Sequence, residues 1–251
     1  MLSEERKAYI VKYINEKKIV SIQELVPLYG VREATIRRDI VELEKRGLIR
    51  RVYGGAMSIS NALIDKDVSI AERRNINISN KKRIAQYAVG LINNSDTIFI
   101  DAGSTTETMI AFLDESKLND IKVFTNGIAH ARRIAALGLK VFLPPGIVKK
   151  ETESIVGADT CKYIKKMWFG KCFMGSNGID RNTGLTTPDI EEANLKKNVI
   201  QHSKEAYVLA DSLKFSCTSN VSFADYGELK IITDKGISSE YKDDSNVIIV
   251  S

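Results

Sequence analysis

From residue 97 onward, short apolar runs alternate with helix-length stretches, and few folds fit that rhythm. The runs are Thr97–Asp101, Lys122–Thr125, Lys140–Leu143, Lys171–Met174, Tyr207–Ala210, Ile231–Thr233 and Val247–Val250. They are rich in Val, Ile and Phe, which suit a pleated surface covered on both sides. Parallel strands need long crossovers, and helices supply them, so the spacing predicts a mainly parallel α/β sheet with helices on both faces. One more helix precedes the first run, with Ser79 read as its cap and Ile84, Ala85, Ala88, Val89 and Ile92 along one side. Ligands of such sheets bind beyond the carboxyl ends of the strands, where loops enter helices.

The first quarter of the chain has a different rhythm. Residues 3–16 pattern as a helix with Tyr9, Ile10, Tyr13 and Ile14 as its apolar positions. Ser21 caps a second helix through Ile22, Leu25, Val26 and Leu28, and Glu24 completes a capping box. Pro27 should kink or shorten that helix, and Gly30 ends it. In a third helix Ile36, Ile40 and Leu43 fall at i, i+4 and i+7 and share a buried stripe. Ala34, Arg38, Val41 and Lys45 project from the other side, with Thr35 and Arg37 at its edges. A basic hairpin follows, Leu48 to Tyr53 closed by Gly54-Gly55.

Three helices and a basic wing over residues 1–57 describe a winged helix-turn-helix, which lays one helix in a DNA major groove and steadies it with phosphate contacts. Alone, the basic helix face would be read as solvated surface. Charge argues for more: residues 1–57 hold 12 Lys+Arg against 8 Asp+Glu, whereas the remaining 194 hold 25 against 24. Most of the net +5 therefore lies where phosphates would be met. The residues placed to touch DNA are Ser21, Arg32, Thr35, Arg37, Arg38, Lys45, Arg50, Arg51 and Tyr53.

Between the two regions, residues 58–78 are polar and without sustained period, as expected of a linker. Its Glu72-Arg73-Arg74 cluster reads as an exposed loop rather than a second DNA contact. No apolar run approaches the ~20 residues of a membrane span, and no signal-peptide core opens the chain. Cys161, Cys172 and Cys217 are widely spaced and match no zinc pattern, so reduced thiols in a cytoplasm are expected. His130 and His202, the only histidines, lie far apart, which speaks against a histidine metal site or triad.

The loops after the runs carry the candidate chemistry. Asp101-Ala102-Gly103-Ser104-Thr105-Thr106 leaves one strand and opens a helix containing Met109, Ile110 and Leu113, and its hydroxyls and free N–H groups could cradle a phosphate. A helix cap would use the same residues. Thr125-Asn126-Gly127 repeats the arrangement. Gly175-Ser176-Asn177-Gly178-Ile179-Asp180, with Gly184, Thr186 and Thr187, reads mainly as turns, followed by a helix bearing Glu191, Glu192 and Lys196. Asp211-Ser212-Leu213-Lys214-Phe215 adds a carboxylate for sugar hydroxyls, and Lys214 or Lys149 could pair with phosphate. Neither G-x-x-x-x-G-K-[ST] nor G-x-G-x-x-G occurs, so no nucleotide cofactor is expected.

Thr35-Ile36-Arg37-Arg38-Asp39, then Leu43-Glu44-Lys45-Arg46-Gly47, then Arg51-Val52-Tyr53-Gly54-Gly55-Ala56 form an ordered signature. It resembles that of the DeoR family of bacterial transcriptional regulators. The likeness extends through DAGSTT, TNG, Pro145-Gly146 to Gly157, FMGSNGID, GLTTPDIEEANLK and DSLKF, and so covers nearly the whole chain. It implies a sensor domain over 79–251 that resembles ribose-5-phosphate isomerase and takes a phosphorylated sugar as effector. The effector residues are then Asp101, Gly103, Ser104, Thr105, Thr106, Thr125, Asn126, Lys149, Asn177, Gly178, Asp180, Glu192 and Lys214. The chain departs from the family at Arg32, where a serine usually caps the third helix, at Pro145 in place of glycine, and at Lys149 in place of arginine.

The expected function is therefore a homo-oligomeric, dimeric or tetrameric repressor of a sugar operon, bound to operator DNA and relieved by a sugar phosphate. The alternative is a sugar-phosphate isomerase with an appended DNA-binding domain, drawing an acid–base pair from Asp101, Asp180, Asp211, Glu191 and Lys214.

Overall fold

Three helices and a small antiparallel sheet form the first of two units into which the chain divides, Met1–Ala62 and Leu63–Ser251. The structure, a computed structural model, describes residues 3–250 apart from 18, 47, 53, 59–62, 65–69, 75–76, 115 and 117. The first unit runs α1 (Ser3–Lys17), β1 (Ile19–Ser21), α2 (Ile22–Tyr29), α3 (Glu33–Lys45), β2 (Ile49–Val52) and β3 (Gly55–Ser58). Its core holds Ile10, Ile14, Leu25, Ile36, Ile40 and Leu43 from the stripes read in the sequence, together with Val20, Ile49 and Ala56. Tyr9 and Leu28, read as apolar positions of the same helices, are instead exposed. Ser21 and Glu24 form the capping box in full, and Pro27 lies in an eight-residue α2 that stops at Gly30. β3 is the central strand, paired with β1 and β2. A side chain at Gly55 would stand 2.2 Å from the Val20 carbonyl oxygen, so glycine is what lets β1 close on β3.

The second unit begins with β4 (Leu63–Ile64), α4 (Ile70–Arg74) and α5 (Ile78–Val89). There follow β5 (Thr97–Ile100), α6 (Ser104–Ile110), β6 (Lys122–Thr125), α7 (Ile128–Ala136) and β7 (Lys140–Phe142). The chain continues through β8 (Ile147–Lys149), β9 (Ser154–Val156), α8 (Ala158–Ile164), β10 (Phe169–Met174), β11 (Gly178–Asp180) and β12 (Gly184–Thr187). It ends with α9 (Ile190–Gln201), β13 (Ser203–Leu209), β14 (Thr218–Ser219), β15 (Val221–Ala224), β16 (Lys230–Asp234) and β17 (Val247–Val250).

All seven apolar runs become strands of one sheet, ordered β17-β16-β13-β10-β5-β6-β7 and parallel at every pairing. Alternate residues feed two cores. Ile98, Ile100, Phe173 and Ile232 face α5, α6 and α7, whereas Phe99, Cys172, Met174 and Ile231 face α8, α9 and the small sheet β11-β12-β15. From β5 the chain winds outward to β6 and β7, then returns to build β10 and beyond on the other side. The loops after β5 and β10 therefore part at the centre of the sheet, the place where such folds open a crevice.

Three expectations are corrected. The 175–187 segment is a hairpin, β11 with β12, rather than turns alone, because Ile179 and Leu185 are wholly buried and pin its register. Ser79 does not cap α5; the helix begins at Ile78 and Asn77 holds the cap position without a side-chain bond. The 58–78 segment is more than a linker: β4 pairs with β14, and α4 buries Ile70 and places Arg74 in an ion pair. Its apolar and charged partners lie far along the chain, so no local period betrays it.

Candidate functional site

The third helix, α3, is fixed from beneath and open above. Asp39 points inward and takes Arg6 of α1 at 2.6 and 3.2 Å. Around it Lys7 reaches Glu4 at 2.9 Å and Glu42 at 2.5 Å, and Arg46 reaches Glu4 at 2.7 Å and also pairs with Glu42. This lattice ties α1 to α3. On the open side Arg32, Arg38 and Lys45 are exposed and have no partner among the described residues. Arg37 is exposed and pairs with Glu33 at 2.5 Å, and Arg51 lies against Glu44 at 3.3 Å. Exposed pairs of this kind are worth only about 0–1 kcal/mol and yield readily to a phosphate.

Thr35 and Arg50 are half-buried. The hydroxyl of Ser21 is committed to Glu24, both donating to its carboxylate and accepting from its N–H, which corrects its reading as a free DNA contact. The α3 cap position, Arg32, makes no side-chain cap bond, so the gap anticipated from the sequence is real. Tyr53 lies outside the described residues.

At the carboxyl end of the parallel sheet, a polar network binds the loops to one another. Asp101 is buried, ion-paired with Lys196 of α9, and accepts the Gly175 N–H at 2.9 Å. Burial pushes its carboxyl above the usual range, against the pull of Lys196. Glu192, one turn earlier in α9, accepts from Thr152 at 2.9 Å, Ser154 at 3.3 Å, Lys149 at 3.2 Å and Thr187 at 3.3 Å. Burial opposes its ionisation, but Lys196, Lys149 and the Thr152 bond outweigh that and hold its pKa down. Lys149 also meets Asp189 at 3.0 Å, and Asn177 accepts from Thr187 at 3.3 Å.

Thr106 donates to the carbonyls of Asp101 and Gly103 at 2.6 and 2.9 Å. Its hydroxyl thus pins its own loop and is not offered to a ligand. Gly103 donates to buried His130 at 3.4 Å, and Asn126 accepts the Ala102 N–H at 2.8 Å. Thr125 accepts from the Gly127 N–H at 3.1 Å. Burial pushes His130 down to about 4, so it is a neutral acceptor here.

A second group gathers at the start of α5. Lys81 is 3% exposed, and its ammonium donates to the carbonyl of Arg73. Burial pushes its pKa down to about 8, with Asp211 opposing and Lys214 and Arg73 reinforcing the shift. The Nε and Nη2 atoms of Arg73 are buried without a hydrogen-bond partner. Lys214 is half-buried and has no partner among the described residues. Asp211 accepts from Asn77 at 3.3 Å and from the Leu213 N–H at 3.1 Å. Lys81 thus feels two other cations, Arg73 and Lys214, against two carboxylates, Asp211 and Glu107. Asp211 already accepts two bonds, and Glu107 is already ion-paired with Arg74 and Arg133. A buried cation short of counter-charge is costly.

The structure therefore joins Asp101, Lys149, Asn177 and Glu192 in one network, sets Thr125 and Asn126 beside it, and puts Lys214 in the other group. Ser104 and Thr105 lie in the first turn of α6, half-buried and buried. Asp180 joins neither: its carboxylate accepts the Asn182 and Thr183 N–H groups at 2.9 and 3.2 Å and closes the β11–β12 turn. Gly178 serves packing, since a side chain there would stand 2.5 Å from the Cys217 carbonyl oxygen. Arg73 and Lys81 were missed from the sequence. The signal for Lys81 was present: it falls three residues before Ile84 and four before Ala85, on the apolar stripe of α5, where a lysine is out of place.

Among the described residues no helix is long and apolar enough to cross a membrane, and no group of His, Cys, Asp and Glu is arranged to hold a metal. Residues 6–62 match the family model of the DeoR-like helix-turn-helix domain, and 76–235 that of the DeoR C-terminal sensor domain. The chain is 40% identical over 233 residues to the uncharacterized HTH-type transcriptional regulator FruR of Bacillus subtilis, covering 93% of this chain and 91% of that one. It is 32% identical over 248 residues to a lactose phosphotransferase system repressor of Staphylococcus epidermidis, covering 96% of each. Among solved structures, ribose 5-phosphate isomerase A of Methanocaldococcus jannaschii aligns with 55% of each chain at 17% identity and a TM-score of 0.42.

Proposed function

The chain belongs to the DeoR family of transcriptional regulators, and from that premise we propose a repressor of a sugar-utilisation operon that a sugar phosphate releases from its operator. The buried Nε and Nη2 of Arg73, without a hydrogen-bond partner and with the charges of Arg73 and Lys214 acting on buried Lys81, are the observation that carries the effector half of this reading. A phosphate dianion would supply the negative charge that this group lacks. Asp211 and Asn77 in the same group suit sugar hydroxyls, as a carboxylate and an amide do. The Asp101–Lys196 and Glu192–Lys149 pairs, which satisfy one another, form the frame that holds the loops around it.

On the DNA side, α3 enters the major groove. Arg38 and Arg37 reach base edges, while Arg32, Lys45 and Arg51 meet phosphates. Pairs of subunits would set two such helices on half-sites one or more helical turns apart, and the protein would act in the cytoplasm on chromosomal DNA. The relative from Staphylococcus epidermidis, a repressor tied to a sugar phosphotransferase system, points to the same kind of operon. An isomerase reading finds less support: Asp180 closes a turn, Asp101 is locked to Lys196, and Glu191 is exposed on α9.

Titrating a panel of pentose and hexose phosphates into the operator complex tests the reading. Release is expected with at least one of them, and Lys214→Ala should abolish it. No release by any member, or aldose–ketose interconversion by the purified protein, would overturn it.

A further inference from the structure

Arg73 and Arg74 are adjacent in α4 and are used in opposite ways. Arg73 leaves its buried Nε and Nη2 unpartnered in the cation group. Arg74 is anchored: its Nε donates to Glu107 at 2.7 Å and its Nη2 to Glu153 at 3.3 Å. Glu107 is buried in the first turn of α6, and its other oxygen lies 3.1 Å from Arg133 of α7, an ion pair not aligned as a hydrogen bond. At its opposite end, α4 is held by the Ile70 N–H, which donates to the Glu151 carbonyl at 3.1 Å. The strand before it, β4, is fixed by β14, which begins four residues after Lys214. β4 is thus fastened to the strand that follows Lys214 in the chain, and α4 to α6 and the 151–153 segment, while the Arg73 carbonyl of α4 also accepts from Lys81 of α5.

We propose that β4 and α4 form a strap that passes occupation of the cation group to the segment leading to the DNA-binding unit, with Arg74 and Glu107 as the positioning residues that hold Arg73 over the group. The inference rests on the anion-site reading above. An anion bound by Arg73, Lys81 and Lys214 draws α4 toward the Asp211–Lys214 turn, and that turn runs on into β14. One binding event therefore acts on both fastenings of the strap, through Arg73 on α4 and through Lys214 on the partner of β4. An element whose two arrangements bind a ligand unequally is what allosteric coupling requires. The Glu107 pair decides whether a pull on Arg73 moves α4 as a body or only swings a side chain.

Amide hydrogen exchange on the full-length protein, with inorganic phosphate as probe, tests this directly. In the wild type phosphate should slow exchange in peptides covering 63–74, 78–85 and 211–219. In Arg74→Gln protection at 78–85 and 211–219 should persist, with phosphate affinity within about threefold, within the usual span of coupling between sites. In Glu107→Gln, which also lifts a carboxylate's charge from Lys81, it should persist or strengthen. In both, protection at 63–74 should fall by about tenfold, again within that span. Arg74→Lys, which keeps the charge, should restore part of it. Protection at 78–85 and 211–219 but none at 63–74 in the wild type overturns the strap and leaves the anion site standing. Protection at none of the three removes the anion site and the strap with it. Wild-type protection at 63–74 in both glutamine variants overturns the role given to Arg74 and Glu107.

Discussion

The two units keep their working cations in opposite surroundings. Arg38 of α3 stands in water, where a guanidinium needs no partner to be stable. Lys81 and two nitrogens of Arg73 are buried, where the negative charge of Asp211 and Glu107 does not offset the burial of the Lys81 ammonium. The first arrangement suits a surface that is always ready and gains specificity from the groove it enters. The second suits a sensor, because a bound anion of the kind proposed would stabilise the native state. What the units share is a layer of internal ion pairs that fixes the working parts: Arg6–Asp39 under α3, and Asp101–Lys196 and Arg74–Glu107 around the sheet.

The largest effect should come from the exposed side. If Arg38 reads a base edge in each half-site of a dimer, as proposed, Arg38→Ala should cost about 1–3 kcal/mol per contact, so operator affinity should fall by about 2–6 kcal/mol. Thermal unfolding of the sensor unit should not change. Operator affinity that survives this substitution in gel-shift titrations would show that α3 is not the reading helix.

The buried side should answer in the opposite sense. Lys81→Met removes a cation whose pKa burial depresses from 10.5 to about 8. Below pH 8 the folded protein carries that charge at a cost, so the variant should be more stable by up to about 3 kcal/mol, at one pKa unit per 1.36 kcal/mol, and unfold at a higher temperature. Sugar-phosphate binding should be lost in the same protein. A variant that is less stable and still responds would erase the contrast between the units.

The same difference in surroundings governs what could be read from the sequence. The sheet was legible because each strand is a continuous apolar run and each crossover a helix, both local patterns. The DNA-binding helix was legible because its buried and exposed residues repeat along one short segment. The cation group was not, because Arg73 and Lys81 sit on two helices before the sheet begins, and Lys214, which follows β13 much later in the chain, joins them only in the folded unit. The hydroxyls of Ser21 and Thr106 misled for a related reason: residues that suit a phosphate also suit a helix cap or a loop carbonyl, and the backbone claimed them first.

A third difference between the units lies in acid. Burial holds His130 near pH 4 in the folded sensor unit, whereas an unfolded chain takes up that proton near 6.5. A lowered histidine pKa contributes stability above the unfolded value that is lost as pH falls through the window from 6.5 to 4. The sensor unit should lose up to about 3 kcal/mol there, and His130→Asn should flatten that part of the profile. The first 62 residues contain no histidine, so their unfolding should not show this dependence. Differential scanning calorimetry across the window would register it.

The smallest expected effect separates two uses of one exposed residue. Arg32 stands at the cap of α3 and makes no cap bond, leaving an N–H of the first turn without the oxygen that serine would supply. Arg32→Ser should therefore stabilise the first unit by about 1 kcal/mol, the ordinary worth of a side-chain cap. If the arginine is kept for a phosphate, the same change should lower operator affinity and reduce the slope of log affinity against log salt by about one per half-site. A gain in stability with no change in the salt slope would leave Arg32 without a function at the DNA, and the exposed surface would then rest on Arg38, Lys45 and the wing.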